Sequence, residues 1–170
     1  LSGNFKWEPQ WRRSGNNWFA GEASINSKLG KGDFTLSLEN DAARNGVEGP
    51  EQVTGRFGNL LFERDEVARY RQDRPKLSGS YSRTTEDGSL FNANAAYQVF
   101  RRRETVVTDL TQVGQPDIFE LYSSRENEWN TEFSADYEFG LVNGRLKLIG
   151  LQRFEHSPVS DFFGQTFSDG

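Results

Sequence analysis

The chain has 170 residues, a net charge of −5, 34% hydrophobic and 26% charged residues, and neither Cys nor Met. This excludes a disulfide framework and a cysteine metal site, and no stretch approaches the ~18 consecutive apolar residues of a membrane-crossing helix. The acidic balance argues against a nucleic-acid partner, and a single histidine, His156, removes most histidine chemistry.

Aromatic residues make up 14% of the chain and are spread along its whole length. From Leu1 onward there is no basic segment followed by an apolar one, so no signal peptide is expected here. The first clear period is two: Phe19, Gly21, Ala23, Ile25 and Leu29 alternate with Ala20, Glu22, Ser24, Asn26 and Lys28. After Gly30-Lys31-Gly32, Phe34, Leu36 and Leu38 alternate with Thr35, Ser37 and Glu39. A long polar stretch follows, with Asn45-Gly46 and Gly49-Pro50 as turn signals. Beyond the turn Glu86-Asp87-Gly88, Phe91, Ala93, Ala95, Tyr97 and Val99 alternate with Asn92, Asn94, Ala96 and Gln98. A second polar stretch, Glu104 to Pro116, precedes the longest alternation. In it Trp129, Thr131, Phe133, Ala135, Tyr137, Phe139 and Leu141 oppose Glu128, Asn130, Glu132, Ser134, Asp136, Glu138 and Gly140.

The spacing predicts antiparallel strands near 3–11, 17–29, 32–42, 73–85, 89–103, 117–141 and 144–157, with a further hairpin within 52–72. Short turns alternate with long connections, the asymmetry of outer-membrane barrels, so residues 41–72 and 104–117 read as extracellular loops. With Asn143-Gly144 as a two-residue turn, Phe139 is expected opposite Leu148, Tyr137 opposite Gly150, Ala135 opposite Gln152 and Phe133 opposite Phe154. Glu138 and Asp136 then lie near Lys147 and Arg153. A strand from Ile118 to Leu141 would run about 80 Å at ~3.3 Å per residue, longer than soluble sheets use. Trp129 and Phe139 fall ~25 Å apart in height on one face, the separation of two aromatic girdles, and Phe34, Tyr81 and Phe91 join Phe139 in the lower one. Leu36, Leu38, Ala93, Ala95, Tyr97, Phe133, Ala135, Tyr137 and Phe139 are therefore expected to face lipid. The fold class is an all-β, antiparallel transmembrane barrel segment, 1–170 as one unit.

The words Leu-Ser-Gly-Asn-Phe-Lys-Trp-Glu-Pro (1–9), Phe-Thr-Leu-Ser-Leu-Glu-Asn (34–40), Asp-Arg-Pro-Lys-Leu-Ser-Gly-Ser (73–80), Asn-Ala-Asn-Ala-Ala-Tyr-Gln (92–98) and Arg-Leu-Lys-Leu-Ile-Gly-Leu-Gln-Arg-Phe-Glu-His-Ser-Pro (145–158) resemble the start of the barrel in TonB-dependent outer-membrane receptors of Gram-negative bacteria. The resemblance implies part of a 22-stranded barrel with an N-terminal plug, importing a siderophore, vitamin or oligosaccharide with energy relayed through TonB. No plug or TonB box is recognised, and Phe167-Ser168-Asp169-Gly170 lacks the usual terminal aromatic, as expected of a fragment. The first strand, around Phe5 to Pro9, is accordingly expected to find no partner within 144–170. Two alternatives remain: a complete eight-stranded outer-membrane protein with a structural or adhesive role, and a soluble lipocalin-like carrier.

No catalytic residue, metal site or cofactor is expected. His156 reads as a residue near a strand end, and Glu132 with Asp136 as part of a solvated wall, not a glycosidase pair. The run Arg101-Arg102-Arg103 stands just above the outer boundary of the apolar segment. Alternation sends Arg101 and Arg103 outward, toward lipopolysaccharide phosphates, and Arg102 inward, toward an anionic small-molecule substrate. The remaining partners are membrane lipid and the rest of the barrel and plug.

Overall fold

The computed structural model describes residues 1–12 and 15–168; Asp169 and Gly170, and with them the question of the terminal residue, lie outside the described residues. It is all-β, with strands β1 (Ser2–Trp7), β2 (Gly21–Leu29), β3 (Gly32–Asn40), β4 (Ala43–Thr54), β5 (Leu60–Asp73), β6 (Pro75–Thr84), β7 (Leu90–Gln112), β8 (Ile118–Leu141), β9 (Gly144–His156) and β10 (Val159–Phe167). All neighbours are antiparallel and all belong to one sheet.

Several of these strands are halves of a longer one. Asn40 of β3 faces Pro75 of β6, and three residues on, Ala43 of β4 faces Gln72 of β5, so register crosses the break without offset. Likewise β9 and β10 lie end to end along β8, with His156 opposite Trp129 and Val159 opposite Glu126. The chain thus makes seven passes, 2–7, 21–29, 32–54, 60–84, 90–112, 118–141 and 144–167, in a simple up-and-down meander. The first break has a visible cause. The Asn40 side-chain carbonyl accepts from the Arg74 backbone N–H at 3.1 Å, while its amide donates to the Phe19 carbonyl at 2.9 Å. At the second, Pro158 can donate nothing to the ladder.

The segments expected as loops therefore differ from expectation. Most of 41–72 is the hairpin of β4 and β5, and the part of 104–117 up to Gln112 continues β7. Backbone pairing to a neighbour already in register extends a strand whether or not its side chains alternate. Strand β1 stops at Trp7, short of the predicted limit. Beyond it, Gln10 pairs with Asn17, whose buried side chain donates to the Ala42 carbonyl at 2.7 Å and accepts from the Phe19 N–H at 3.1 Å.

The last hairpin also differs. Leu141 faces Gly144, so the turn residues are Val142 and Asn143, and the pairs become Phe139 with Leu146, Tyr137 with Leu148, Ala135 with Gly150, Phe133 with Gln152 and Thr131 with Phe154. Val142 takes a φ of 55°, the place Gly30 fills with 62° in the turn between β2 and β3. The shift of two residues leaves every side chain on its expected face. Gly150 thus faces Ala135 in place of Tyr137; an aromatic covers a glycine instead between β3 and β6, where Tyr81 lies over Gly32 and an added Cβ would meet the ring at 2.5 Å.

The sheet does not close. Strand β1 pairs with β2 alone, and no residue of 144–168 pairs with it, as expected for the first strand. It is a single layer. The buried apolar residues among those described are Ala20, Ala42 and Ala68, while Leu38, Phe133, Leu148 and Phe154 are all at least half exposed. No second layer covers either face.

Candidate functional site

Register fixes which side chains share a face. One row reads Phe34, Tyr81, Ala93, Ala135, Gly150, and the next Ile25, Leu36, Gly79, Ala95, Phe133, Gln152. The row above reads Phe5, Ala23, Leu38, Leu77, Tyr97, Thr131, Phe154. All nine residues expected on one apolar face are there together. Small residues fill the middle of this face and leave a shallow groove of about 690 Å³ edged by Phe34, Tyr81 and Phe133. Within it Gln152 brings a polar side chain to this face.

Aromatic contacts gather at the two ends of the apolar face. Toward the short turns, Tyr81 meets Phe91 at 6.3 Å and Tyr137 stacks with Phe139 at 5.4 Å. At the opposite end, Trp129 lies 6.2 Å from His156, and Trp7 stacks on Trp18 at 6.4 Å while donating its indole N–H to the Trp18 carbonyl. Such belts place rings that are apolar in body and polar at the edge where an apolar medium ends.

The other face of the same strands carries Thr35, Ser80, Asn94 and Ser134 in one row and Ser37, Ser78, Ala96, Glu132 and Arg153 in the next. Asn92 donates to Asp136 at 3.0 Å, and Lys147 pairs with Asp136 at 3.2 Å. Arg145 pairs with Glu138 and donates to the Gly88 carbonyl. The segment 144–167 departs from this, placing Ile149 and Leu151 on the polar face, as β7 does at Leu90 and Phe100.

Beyond the aromatic end, both faces become charged. Arg101 and Arg103 lie on the continuation of the apolar face and Arg102 on the polar one, as alternation requires. Arg103 stands opposite Arg71 on one side and Arg125 on the other, and Arg71 opposite Arg44. Four arginines thus form one row across 32–54, 60–84, 90–112 and 118–141. Arg44 is held by Asp73 at 2.7 Å, whereas Arg71, Arg101, Arg103 and Arg125 have no carboxylate within ion-pair range among the described residues. Arg44, Arg71 and Arg125 are absent from any local motif. Only the register of strands far apart in sequence brings them to Arg103.

Arg102 sits differently. Its guanidinium pairs with Glu104 at 3.0 Å and lies 6.0 Å over the Tyr70 ring. Glu104 raises the Tyr70 phenol above its ordinary range by accepting its hydroxyl proton in a hydrogen bond and by its own charge. Nearby, Arg74 covers Phe100 at 4.9 Å. The positive charge of Arg102 is therefore partly answered within the chain. His156 packs on Trp129, and Glu132 and Asp136 belong to the polar rows. Among the described residues no three His, Asp or Glu side chains are grouped to hold a metal. The sequence matches no family model and resembles no curated protein.

Proposed function

We propose that this chain is a wall segment of an outer-membrane β-barrel that imports a scarce small molecule, a receptor of the TonB-dependent kind. The observation that carries the reading is a single-layer meander whose one apolar face is bounded by aromatic clusters at both ends and followed by charge. Such a face needs an apolar medium of limited thickness. From Phe139 to Trp129 the strand rises ~25 Å at a tilt of about 40°, the height of a bilayer's apolar band as barrels meet it.

The polar face supports a wide lumen. Its small hydroxyl and amide side chains and its ion pairs are satisfied beside water, and a narrow packed interior would charge each of them a desolvation cost. The open edges, β1 on one side and β9–β10 on the other, are then paired by further strands, since an unpaired ladder cannot stand in lipid. The hairpin of β4 and β5 and the upper half of β7 project outside the cell. There Arg102, Tyr70 and Glu104 lie where an arriving anionic solute would pass.

The test is uptake by cells carrying the full-length gene. Deleting the gene should abolish growth on one iron complex, vitamin or glycan, and energy-uncoupled cells should bind that solute without importing it. Import that survives collapse of the proton gradient contradicts the receptor reading. Recovery of the protein in a soluble fraction contradicts the membrane reading altogether.

A further inference from the structure

We infer that the row Arg44, Arg71, Arg103 and Arg125, with Arg101 beside it, is a binding site for the phosphates of a membrane glycolipid headgroup. The inference rests on the membrane reading, since it takes the apolar face to be the lipid-facing one. It begins from a conflict in the sheet itself. Residues directly opposite on neighbouring strands have Cβ atoms about 5 Å apart, and like charges there repel. Arg44 with Arg71, Arg71 with Arg103, and Arg103 with Arg125 are three such pairs in succession.

Several cations elsewhere in this sheet are answered by a carboxylate. Lys28 pairs with Asp33, Lys31 with Glu86, Arg64 with Glu51 and Arg153 with Glu155. In the row, Asp73 answers Arg44 alone. The remaining guanidinium groups are exposed and aligned over two strand spacings, about 10 Å. That length suits more than one phosphate, each able to accept two parallel N–H donors from one guanidinium.

Position selects the source of the phosphate. The row lies immediately beyond the aromatic end of the apolar face: Val99 and Trp129 stand opposite each other, and Arg101 and Asn127 come next along the same face. A lipid whose acyl chains lie along Leu77, Tyr97 and Phe154 has its headgroup at that height. A free anion has no reason to prefer it. On the opposite face at the same level, Arg102 is paired with Glu104 and Arg74 covers the Phe100 ring, so no row of facing arginines forms there.

The experiment uses the full-length protein in nanodiscs of a zwitterionic phospholipid. The probes are bisphosphorylated lipid A, the same glycolipid with both phosphates removed, and inorganic pyrophosphate. Wild type should bind the bisphosphorylated lipid, and Arg71→Gln/Arg103→Gln/Arg125→Gln should weaken that binding on the order of tenfold or more, because bidentate charge-assisted contacts are lost. The corresponding triple lysine variant should fall between the two. Arg83→Gln, at the far end of the same face, should bind like wild type. Equal binding by wild type and the triple glutamine variant overturns the site, as does equal binding of the dephosphorylated lipid. Pyrophosphate bound as tightly as the lipid overturns the lipid assignment. Heat-modifiable electrophoretic mobility of every variant shows that the barrel is folded. Fractionation of cells tests the membrane reading separately, so a chain that resides in the outer membrane without binding the glycolipid refutes this inference alone.

Discussion

The two ends of the sheet obey different rules. Between the short turns and Trp129, side chains along the central strands alternate: Phe133, Ala135 and Tyr137 on one face, Glu132, Ser134 and Asp136 on the other. Beyond Trp129 the same strands continue in unbroken register, yet Arg101, Arg102 and Arg103 are consecutive, and polar residues stand on both faces. The backbone ladder is common to both halves. On the membrane reading proposed above, the side-chain pattern is imposed where one face meets an apolar medium, and its loss along a continuous strand marks the edge of that medium.

The sharpest way to break the comparison is to place the same charge in both halves of one strand. Ala95→Arg, in the middle of the apolar face, should destabilise the folded full-length protein in liposomes by about 2–4 kcal/mol, while Thr105→Arg, on the same face above the arginine row, should cost about 0–1 kcal/mol. Urea titration of each variant measures both. Equal costs would mean that the two halves share one environment.

A second change addresses the boundary itself. Asn17→Ala removes the donor to the Ala42 carbonyl and the acceptor for the Phe19 N–H in a buried place, and should cost about 1–3 kcal/mol. Its effect should be local, appearing as faster amide exchange in 15–20 and around Ala42 and not in 118–141. Uniform loss of protection would show that Asn17 supports the whole sheet.

The short turns allow a smaller and opposite effect. Val142 holds a φ of 55° that Gly30 holds without strain, and a β-branched residue pays for that conformation. Val142→Gly should therefore stabilise the hairpin of β8 and β9 by about 1 kcal/mol, read as a higher urea midpoint. Destabilisation would show that the Val142 side chain contributes more than its backbone costs.

The weakest effect concerns pH at the turn between β6 and β7. Asp87 accepts from the Thr85 hydroxyl and from the Ser89 N–H and hydroxyl, which lower its pKa below the ordinary carboxylate value. A carboxyl with a depressed folded pKa stabilises the turn above its unfolded pKa, and that contribution is lost as pH falls through the folded value, below about pH 4. Protection of the Ser89 amide should decline over that range in wild type and be flat in Asp87→Asn.

The comparison also explains what was legible beforehand. The seven passes and their lower halves could be read because Phe91 to Val99 and Glu128 to Leu141 alternate. The upper half of 118–141 was legible as well, but that of 90–112 was not, since Glu104 to Gln112 joins the sheet through backbone pairing to 60–73 and carries no period. The turn at Val142 was hidden by the stronger glycine signal of Asn143-Gly144 beside it. Within the candidate site, Arg101 and Arg103 could be seen as neighbours of an apolar segment. Arg44, Arg71 and Arg125 needed the register between distant strands, which no local spacing encodes.

The central claim is that the apolar face of the lower half meets lipid and the polar face meets water. Single spin labels at Ala95 and Ala135 on one face, and at Asn94 and Ser134 on the other, test it in the full-length protein reconstituted in liposomes. Relaxation by dissolved oxygen, which concentrates in lipid, should be high at Ala95 and Ala135, and relaxation by a water-soluble nickel chelate should be high at Asn94 and Ser134. Nickel access at Ala95 and Ala135 equal to that at their neighbours, or no oxygen preference at either, would contradict it.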